Sequence, residues 1–505
     1  MTPRPFASLA SQPPSRSAAA SPAIPPAEAQ RRPARSGKSP QLPEAFKSGK
    51  KAGFETASTI WAILFMSKPL RVGIAGLGSV GASVVRLLQR QNNALAGRVG
   101  RAIVVTGVSA RDRTRDRGVD LSGAAFFDDP AALAVSDQID LFVELVGGAD
   151  GPAYAATRAA LQRGVPVVTA NKAMIARHGL ELAALAEKAG VALSFEASSA
   201  GGIPIVKTLR EAMAGNSLRR VYGILNGTCN YILSRMETDG LSFEECLSDA
   251  QRLGYAEADP TFDIEGHDTA QKLAILASLA FGTRIDPKAI YVEGISSITL
   301  ADLDAASELG YRVKLLGVAV KTGEGIEQRV HPTMVPKDSA IAQVMGVTNA
   351  VTVDAEGIAP ITLVGPGAGG VATASAIVAD LADIARGVRC APFGRPVARM
   401  TPTRKAPMQH HEGGYYIRLL ARDRPGTAAT IAHRLAQQKI SLESIVQRHP
   451  VGSAGAAQPG RSNEAVPVIM TTYATSEDAV HKALAAVRRD RVVYGKPQVI
   501  RIEKN

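Results

Sequence analysis

Between residues 70 and 200, short apolar runs alternate with amphipathic segments. Arg71–Ala75, Ile103–Ser109, Leu141–Val146, Val165–Thr169 and Leu193–Glu196 read as buried strands, with helices from Val80 to about Gln89 and over Ala153–Arg163. That alternation predicts a parallel sheet with helices packed on it. The pattern then changes. Leu218–Leu225, Lys314–Val320, Glu327–Met334 and Ala350–Ala355 read as strands, the last three in a mostly antiparallel sheet. From Gly414 the order is strand (Tyr415–Ala421), helix (Gly426–Gln438), strand (Leu442–Gln447), a turn-rich loop at 451–465, strand (Pro467–Tyr473), helix (Glu477–Arg488) and strand (Val492–Ile502). This β-α-β-β-α-β order is the ferredoxin-like arrangement. Residues 390–412 hold Pro392, Pro396, Pro402 and Pro407 among basic residues and read as a linker.

One helix departs from the amphipathic pattern. After Asp268, residues Ala270, Leu273, Ala274, Ile275, Leu276, Ala277, Leu279 and Ala280 cover nearly every side, which predicts a buried helix. Asp268 and Lys272 stand four apart and share a face. Charges on the first turn of a buried helix must be paired or must face a cavity that uses them. Upstream, Ser242 and Glu245 form the capping-box spacing that opens a helix over Phe243–Leu253.

Strand Arg71–Ala75 runs directly into Gly76, Leu77, Gly78, Ser79, Val80 and Gly81. Small residues let the backbone approach a pyrophosphate, and the following helix offers free N–H groups to it. The strand–turn–helix context supports dinucleotide binding over a bare tight turn. Gly147 and Gly148 end another strand where a cofactor can pass over the sheet edge. At the end of strand Ile103–Ser109, where an acid would hold the ribose of NAD, stand Ser109, Ala110 and Arg111. A guanidinium suits a 2′-phosphate, so NADP is favoured and NAD also admitted. A solvated basic loop, continued by Arg113, Arg115 and Arg117, is the alternative. Lys172, at the carboxyl end of strand Val165–Thr169, points toward the crevice where such sheets bind ligands.

At 505 residues the chain can hold three or more domains. Its net charge of +12 comes largely from residues 1–51, where Glu28 and Glu44 are the sole acids. Nucleic-acid binding therefore loses most of its support. Three cysteines, without metal-ligand spacing, suggest a reducing cytosol. Residues 1–67 read as a disordered or non-native extension, with a transit peptide as one alternative and Met66 as the favoured biological start. The apolar run Ile60–Met66 is too short to span a bilayer.

The stretch Gly254–Lys272, GYAEADPTFDIEGHDTAQK, carries a specific resemblance. With Ala250 ahead of it, Gly254, Tyr255, Ala256, Asp259, Pro260, Asp263, Ile264, Gly266, Asp268 and Lys272 fall in the order and spacing of the homoserine dehydrogenase signature. The T-A-N-K run ending at Lys172, NGTCNYIL at 226–233 and GPGAGG at 365–370 are similar to further landmarks of that family. The resemblance implies an α/β chain with a Rossmann-type domain at 68–200, completed by about 360–389, and an α+β catalytic and dimerisation domain at 201–359. It also implies reversible hydride transfer between NAD(P)H and L-aspartate 4-semialdehyde, giving L-homoserine.

By resemblance, Lys272 is the proton donor and Lys172 places substrate beside the nicotinamide. Glu257 and Asp268 would bind the substrate, and Asp263 would hold Lys272. Gly76, Leu77, Gly78, Val80, Gly81, Arg111, Gly147, Lys172, Gly367 and Gly369 would contact cofactor. Glu196, with the carbonyls of Ser199, Gly201 and Ile203, would hold a monovalent cation such as Na⁺. The same residues read equally well as a glycine-rich turn. Asp423-Arg424-Pro425-Gly426 resembles the amino-acid-sensing ACT domain, placed at 414–505 after a linker at 390–413. Threonine is then the expected effector, and a homodimer or homotetramer in the cytoplasm the expected state, with no nucleic-acid or membrane partner. A chain ending near Pro407 would keep catalysis and lose the threonine response. Two other readings stay open: an NADP-dependent oxidoreductase on a related amino-acid aldehyde or keto acid, and a non-catalytic amino-acid sensor.

Overall fold

The computed structural model describes residues 68–408, 411–447 and 465–503. The expectations for 1–67 and, but for Ala465, for the loop at 451–465 lie outside the described residues.

Six strands make the first sheet: β1 (Leu70–Ala75), β2 (Ile103–Ser109), β3 (Ala125–Phe127), β4 (Leu141–Glu144), β5 (Val167–Thr169) and β6 (Leu193–Ser194). They are parallel and ordered β3-β2-β1-β4-β5-β6. This is the doubly wound dinucleotide-binding order, whose switch point lies between β1 and β4. β1 and β4 are covered on both faces, which is why they read as unbroken apolar runs. The first helix runs over Ser79–Val99, ten residues beyond the expected end at Gln89. Leu95 and Val99 keep its buried face going past the polar Gln-Asn-Asn stretch, and Gly100 stops it in a left-handed conformation.

The remaining strands are β7 (Leu218–Ile224), β8 (Tyr291–Val292), β9 (Tyr311–Lys321), β10 (Ile326–Pro336), β11 (Thr348–Ala355), β12 (Ile361–Pro366), β13 (Glu412–Arg422), β14 (Leu442–Gln447), β15 (Ala465–Thr472), β16 (Thr475–Ser476) and β17 (Val493–Ile502). They form one sheet with the main path β12-β11-β7-β9-β10-β17-β13-β15-β14. The helix His267–Phe281 packs on it through Leu273, Ala274 and Leu276, in the same core as Val221, Ala319 and Val330. Beyond β12, the helix Gly370–Ala385 returns to the first sheet, where Ile377 and Leu381 join Val84 and Leu88 in a second core.

The segment 412–503 has the ferredoxin-like order β17-β13-β15-β14, with the helices Thr427–Gln437 and Glu477–Arg489 over a core that includes Tyr415, Ile431 and Val480. Two expectations about this region are corrected. Residues 390–408 are not a free linker, because Phe393, Met400 and Ala406 are buried and Phe393 stacks 5.1 Å from Phe195. The prolines hide three apolar anchors. Nor is the C-terminal unit separate, since β17 pairs with β10 at Thr333–Arg501 and Met334–Ile502. Ion pairs with buried arginines reinforce that seam. Arg329 meets Glu503 at 2.5 Å, and Arg501 meets Glu293 at 3.0 Å and also pairs with Glu477.

Candidate active site

Gly266 holds φ at +82° and turns the chain into the helix that begins at His267. An alanine there would also bring its β-carbon to 2.9 Å from Val330, so the turn requires glycine. Two residues on, Asp268 is 4% exposed and lies on the first turn of the buried helix. Its Oδ2 accepts from Lys272 Nζ at 2.8 Å and from Asn226 Nδ2 at 2.9 Å, and its Oδ1 lies 3.0 Å from Lys172 Nζ. One carboxylate thus joins both candidate lysines. Burial alone would raise its pKa, but Lys272, Lys172 and the hydrogen bonds outweigh it and hold the group well below the usual carboxylate range.

Lys272 Nζ also donates to the Leu225 carbonyl at 2.6 Å. An ammonium has three N–H groups. Two are used here, and one is left for a ligand. The resemblance implies that Asp263 holds Lys272; in the structure Asp263 accepts from Asn226 Nδ2 at 2.8 Å, and the carboxylate paired with Lys272 is Asp268. The four-residue spacing favours Asp268, which the helix stacks directly under Lys272. Burial and the Asp268 charge raise the Asp263 carboxyl. Glu257 lies exposed on the loop before the helix, with its carbonyl accepting from Gln251 Nε2.

Lys172 opens the helix Lys172–Ala189, which is capped by the Asn171 side chain accepting from Met174 N–H at 3.0 Å. Behind it lies a network that sequence reading missed. Fully buried Glu144 accepts from the Val146 and Gly147 N–H groups at 2.8 and 3.0 Å and from the Thr169 hydroxyl at 2.5 Å. Asn171 Nδ2 donates to the Gly148 carbonyl at 2.7 Å. Glu144 therefore joins the Gly147–Gly148 turn to the strand that delivers Lys172.

The cofactor-side residues gather at the carboxyl ends of β1, β2, β4 and β12. Gly76 has φ +96°, and a β-carbon on it would lie 2.3 Å from the Leu145 carbonyl; one on Gly81 would lie 2.1 Å from the Gly76 carbonyl. A β-carbon on Gly78 would meet nothing within 4 Å. Packing explains two of the glycines, and the third faces open space before the helix Ser79–Val99. That helix has no side-chain cap and no acid in its first turn, so its N–H groups suit a pyrophosphate. Leu77 and Val80 pack into the core and can offer only backbone. Arg111 is exposed past the end of β2, whereas Arg117, unassigned from sequence, donates to the Leu77 carbonyl at 3.0 Å. Gly367 and Gly369 follow β12, and Gly370 packs on Ser79 and Ser83.

Glu196 is buried, and its carboxylate accepts from the Val206 and Lys207 N–H groups at 2.9 and 2.8 Å. Burial and the nearby Asp380 charge push it up to about 7. The buried Ser198 and Ser199 hydroxyls have no partner among the described residues. A buried carboxylate held above its usual range beside unpaired hydroxyls fits a bound cation. Among the described residues, no group of three or more His, Cys, Asp or Glu side chains is placed to hold a metal ion. Any ion here would rest on Glu196 and backbone carbonyls, those of Ser199, Gly201 and Ile203 being the expected ones.

Two family profiles match the chain, "Homoserine dehydrogenase, NAD binding domain" over residues 76–196 and "Homoserine dehydrogenase" over 204–382. A homoserine dehydrogenase of Neisseria gonorrhoeae is 42% identical over 442 residues, covering 86% of this chain and 99% of the relative. The chain belongs to the homoserine dehydrogenase family. The crystal structure of a homoserine dehydrogenase from Thiobacillus denitrificans superposes with a TM-score of 0.80 at 40% identity, covering 86% of this chain and 99% of that one. A hyperthermophilic archaeal homoserine dehydrogenase in complex with NADPH is 25% identical with a TM-score of 0.55, covering 64% of this chain and 99% of that one. The activity implied by the sequence resemblance, hydride transfer between a nicotinamide cofactor and a small-molecule substrate, is thus this family's. No helix among the described residues is long and apolar enough to cross a membrane.

Proposed function

We propose that Lys272 is the proton donor of L-aspartate 4-semialdehyde reduction and that Lys172 positions the substrate. The observation that carries this reading is the single carboxylate of Asp268 held between both lysines. The nicotinamide, when bound, supplies the hydride. As hydride reaches the aldehyde carbon, negative charge grows on the oxygen. The remaining N–H of Lys272 stabilises that charge and transfers its proton, and Asp268 and the Leu225 carbonyl keep the amine aimed. In the reverse direction the same amine receives the proton of homoserine. Lys172, whose side chain is 36% exposed, has the freedom to meet substrate from the cofactor side. Glu257 and the remaining lone pair of Asp268 Oδ1 are the acceptors for the substrate ammonium or hydroxyl.

NADP is the proposed cofactor, with Arg111 on the 2′-phosphate and the Gly76–Gly81 turn, Gly147, Gly367 and Gly369 around the dinucleotide. The archaeal relative bound to NADPH supports that preference. Na⁺ at Glu196 is supported by the raised carboxyl and the unpaired hydroxyls. Threonine, read by a C-terminal ACT unit, is the proposed feedback signal; the uncapped N-terminus of helix Thr427–Gln437 after Asp423–Gly426 could take its carboxylate. A cytoplasmic homodimer or homotetramer completes the proposal. The test is absorbance at 340 nm with homoserine and each cofactor in turn. Turnover with homoserine and preference for NADP are expected. Turnover confined to another amino-acid alcohol would overturn the substrate reading.

A further inference from the structure

A cleft of about 940 Å³ separates the turn after β8 from the C-terminal unit. One wall is Tyr291–Ser297 with Glu265 and His267, and the other is the helix Glu477–Arg489 with β17. Such a volume suits a bound small molecule. The cations on its lining differ in kind. Arg501 is neutralised by Glu477 and Glu293, and Arg418 by Asp302. Arg488 and Lys496 line the same cleft, exposed, and among the described residues neither has an acidic partner. Val292, Leu484 and Val499 add apolar surface beside them.

The catalytic-side wall is fastened to the lysine site. Ile295 N–H donates to the Ile264 carbonyl at 2.8 Å, and the Ser296 hydroxyl donates to Glu265. A β-carbon on Gly294 would lie 2.4 Å from the Ile264 carbonyl, so the two segments are in backbone contact. Three residues beyond Glu265 is Asp268. The opposite wall belongs to the unit joined through β17, and Arg501 spans the seam from Glu477 to Glu293.

We propose that this cleft is an effector site for a small organic anion, a carboxylate or a phosphate with an apolar body. Arg488 and Lys496 take the anionic group, and Val292, Leu484 and Val499 take the body. Occupation draws the C-terminal helix toward Tyr291–Ser297 and shifts the 264–266 segment that sets Asp268. The site is distinct from the Asp423–Gly426 turn proposed above for threonine, and it does not depend on the roles assigned to the two lysines.

The test uses the full chain and three probes: L-threonine and butyrate as carboxylates, and glycerol 3-phosphate as a phosphate. Calorimetry measures binding, and homoserine oxidation is followed with and without each probe. At least one probe should bind to the wild type and shift the KM for homoserine, within the roughly 5–150-fold span of typical couplings. The double variant Arg488→Glu/Lys496→Glu should weaken that binding about tenfold or more and leave activity without probe unchanged. Ser296→Ala should keep the binding and reduce the KM shift. Asp423→Ala should leave the cleft binding intact. The proposal is overturned when none of the three probes shows binding that the double variant weakens.

Discussion

Asp268 stands one helical turn before Lys272, and its Oδ2 lies 2.8 Å from the lysine nitrogen. Lys172 occupies the other carboxylate oxygen at 3.0 Å. Asp268→Asn keeps the shape and removes the charge that orders both amines. The variant is expected to lose about 10²-fold or more in kcat for homoserine oxidation. It should also lose about 3 kcal/mol of stability in denaturant titration, because the Lys272 side chain, 11% exposed, is left without its counter-charge. Near-normal kcat would show that the pair is structural only.

The parts of this site that were legible in sequence are local ones. The Asp268–Lys272 pair follows from helical spacing, and the all-round apolar character of the next three turns announced burial. The Gly76–Gly81 turn and the ferredoxin-like order were likewise legible, since each is a contiguous pattern. What escaped depends on distant chain segments meeting. Asn226 reaches Asp268 across 42 positions, and the Leu225 carbonyl reaches Lys272 across 47. No spacing rule predicts either. Glu144 looked like one more strand residue, though its carboxylate organises the Gly147 turn. Prolines around Phe393 and Met400 suggested a loose segment, and only the fold shows where those side chains go.

Arg111 is exposed two residues past the end of β2 and is the residue proposed for the 2′-phosphate of NADP. A charge-assisted hydrogen bond contributes about 1.5–3 kcal/mol. Arg111→Ala should therefore raise the Michaelis constant for NADP by about tenfold or more and leave that for NAD nearly unchanged. Steady-state titration with both cofactors decides it. Equal effects would move the role to Arg113 or Arg117.

The Glu196–Asp380 pair gives a pH test for the cation. Burial, with the Asp380 charge added, places Glu196 at about 7, and burial places Asp380 at about 6, both above the ordinary range. The folded chain thus keeps protons that the unfolded chain has released. Their contribution is present below about pH 4 and is lost as pH rises through 7. For Glu196 the loss is roughly 3 kcal/mol. A cation at Glu196 offsets it by favouring the ionised form. Replacing choline chloride by sodium chloride at equal ionic strength should raise the melting temperature at pH 8 by several degrees and at pH 5 by little. An equal shift at both values would argue against an ion at Glu196.

Joining of β17 to β10 changes what a shortened chain would report. Ending the chain near Pro407 removes Glu503 from Arg329 and Arg220, and Arg501 from Glu293. The expectation that such a chain keeps full catalysis is replaced by its opposite: it should fold poorly and lose activity along with regulation. Glu503→Gln in the full chain isolates the seam. It should lower stability by about 3 kcal/mol and leave kcat within about twofold. A fully active, stable chain ending at Pro407 would show that the seam contributes little.

Lys272→Ala measures the central assignment. Homoserine oxidation is followed at 340 nm beside NADPH binding by fluorescence, for the wild type, Lys272→Ala and Lys172→Ala. Loss of a general acid lowers kcat by roughly 10²–10⁴. Lys272→Ala should show that loss with NADPH affinity intact, whereas Lys172→Ala should lower kcat and also weaken substrate or cofactor binding. A near-normal kcat in Lys272→Ala would contradict its role as proton donor.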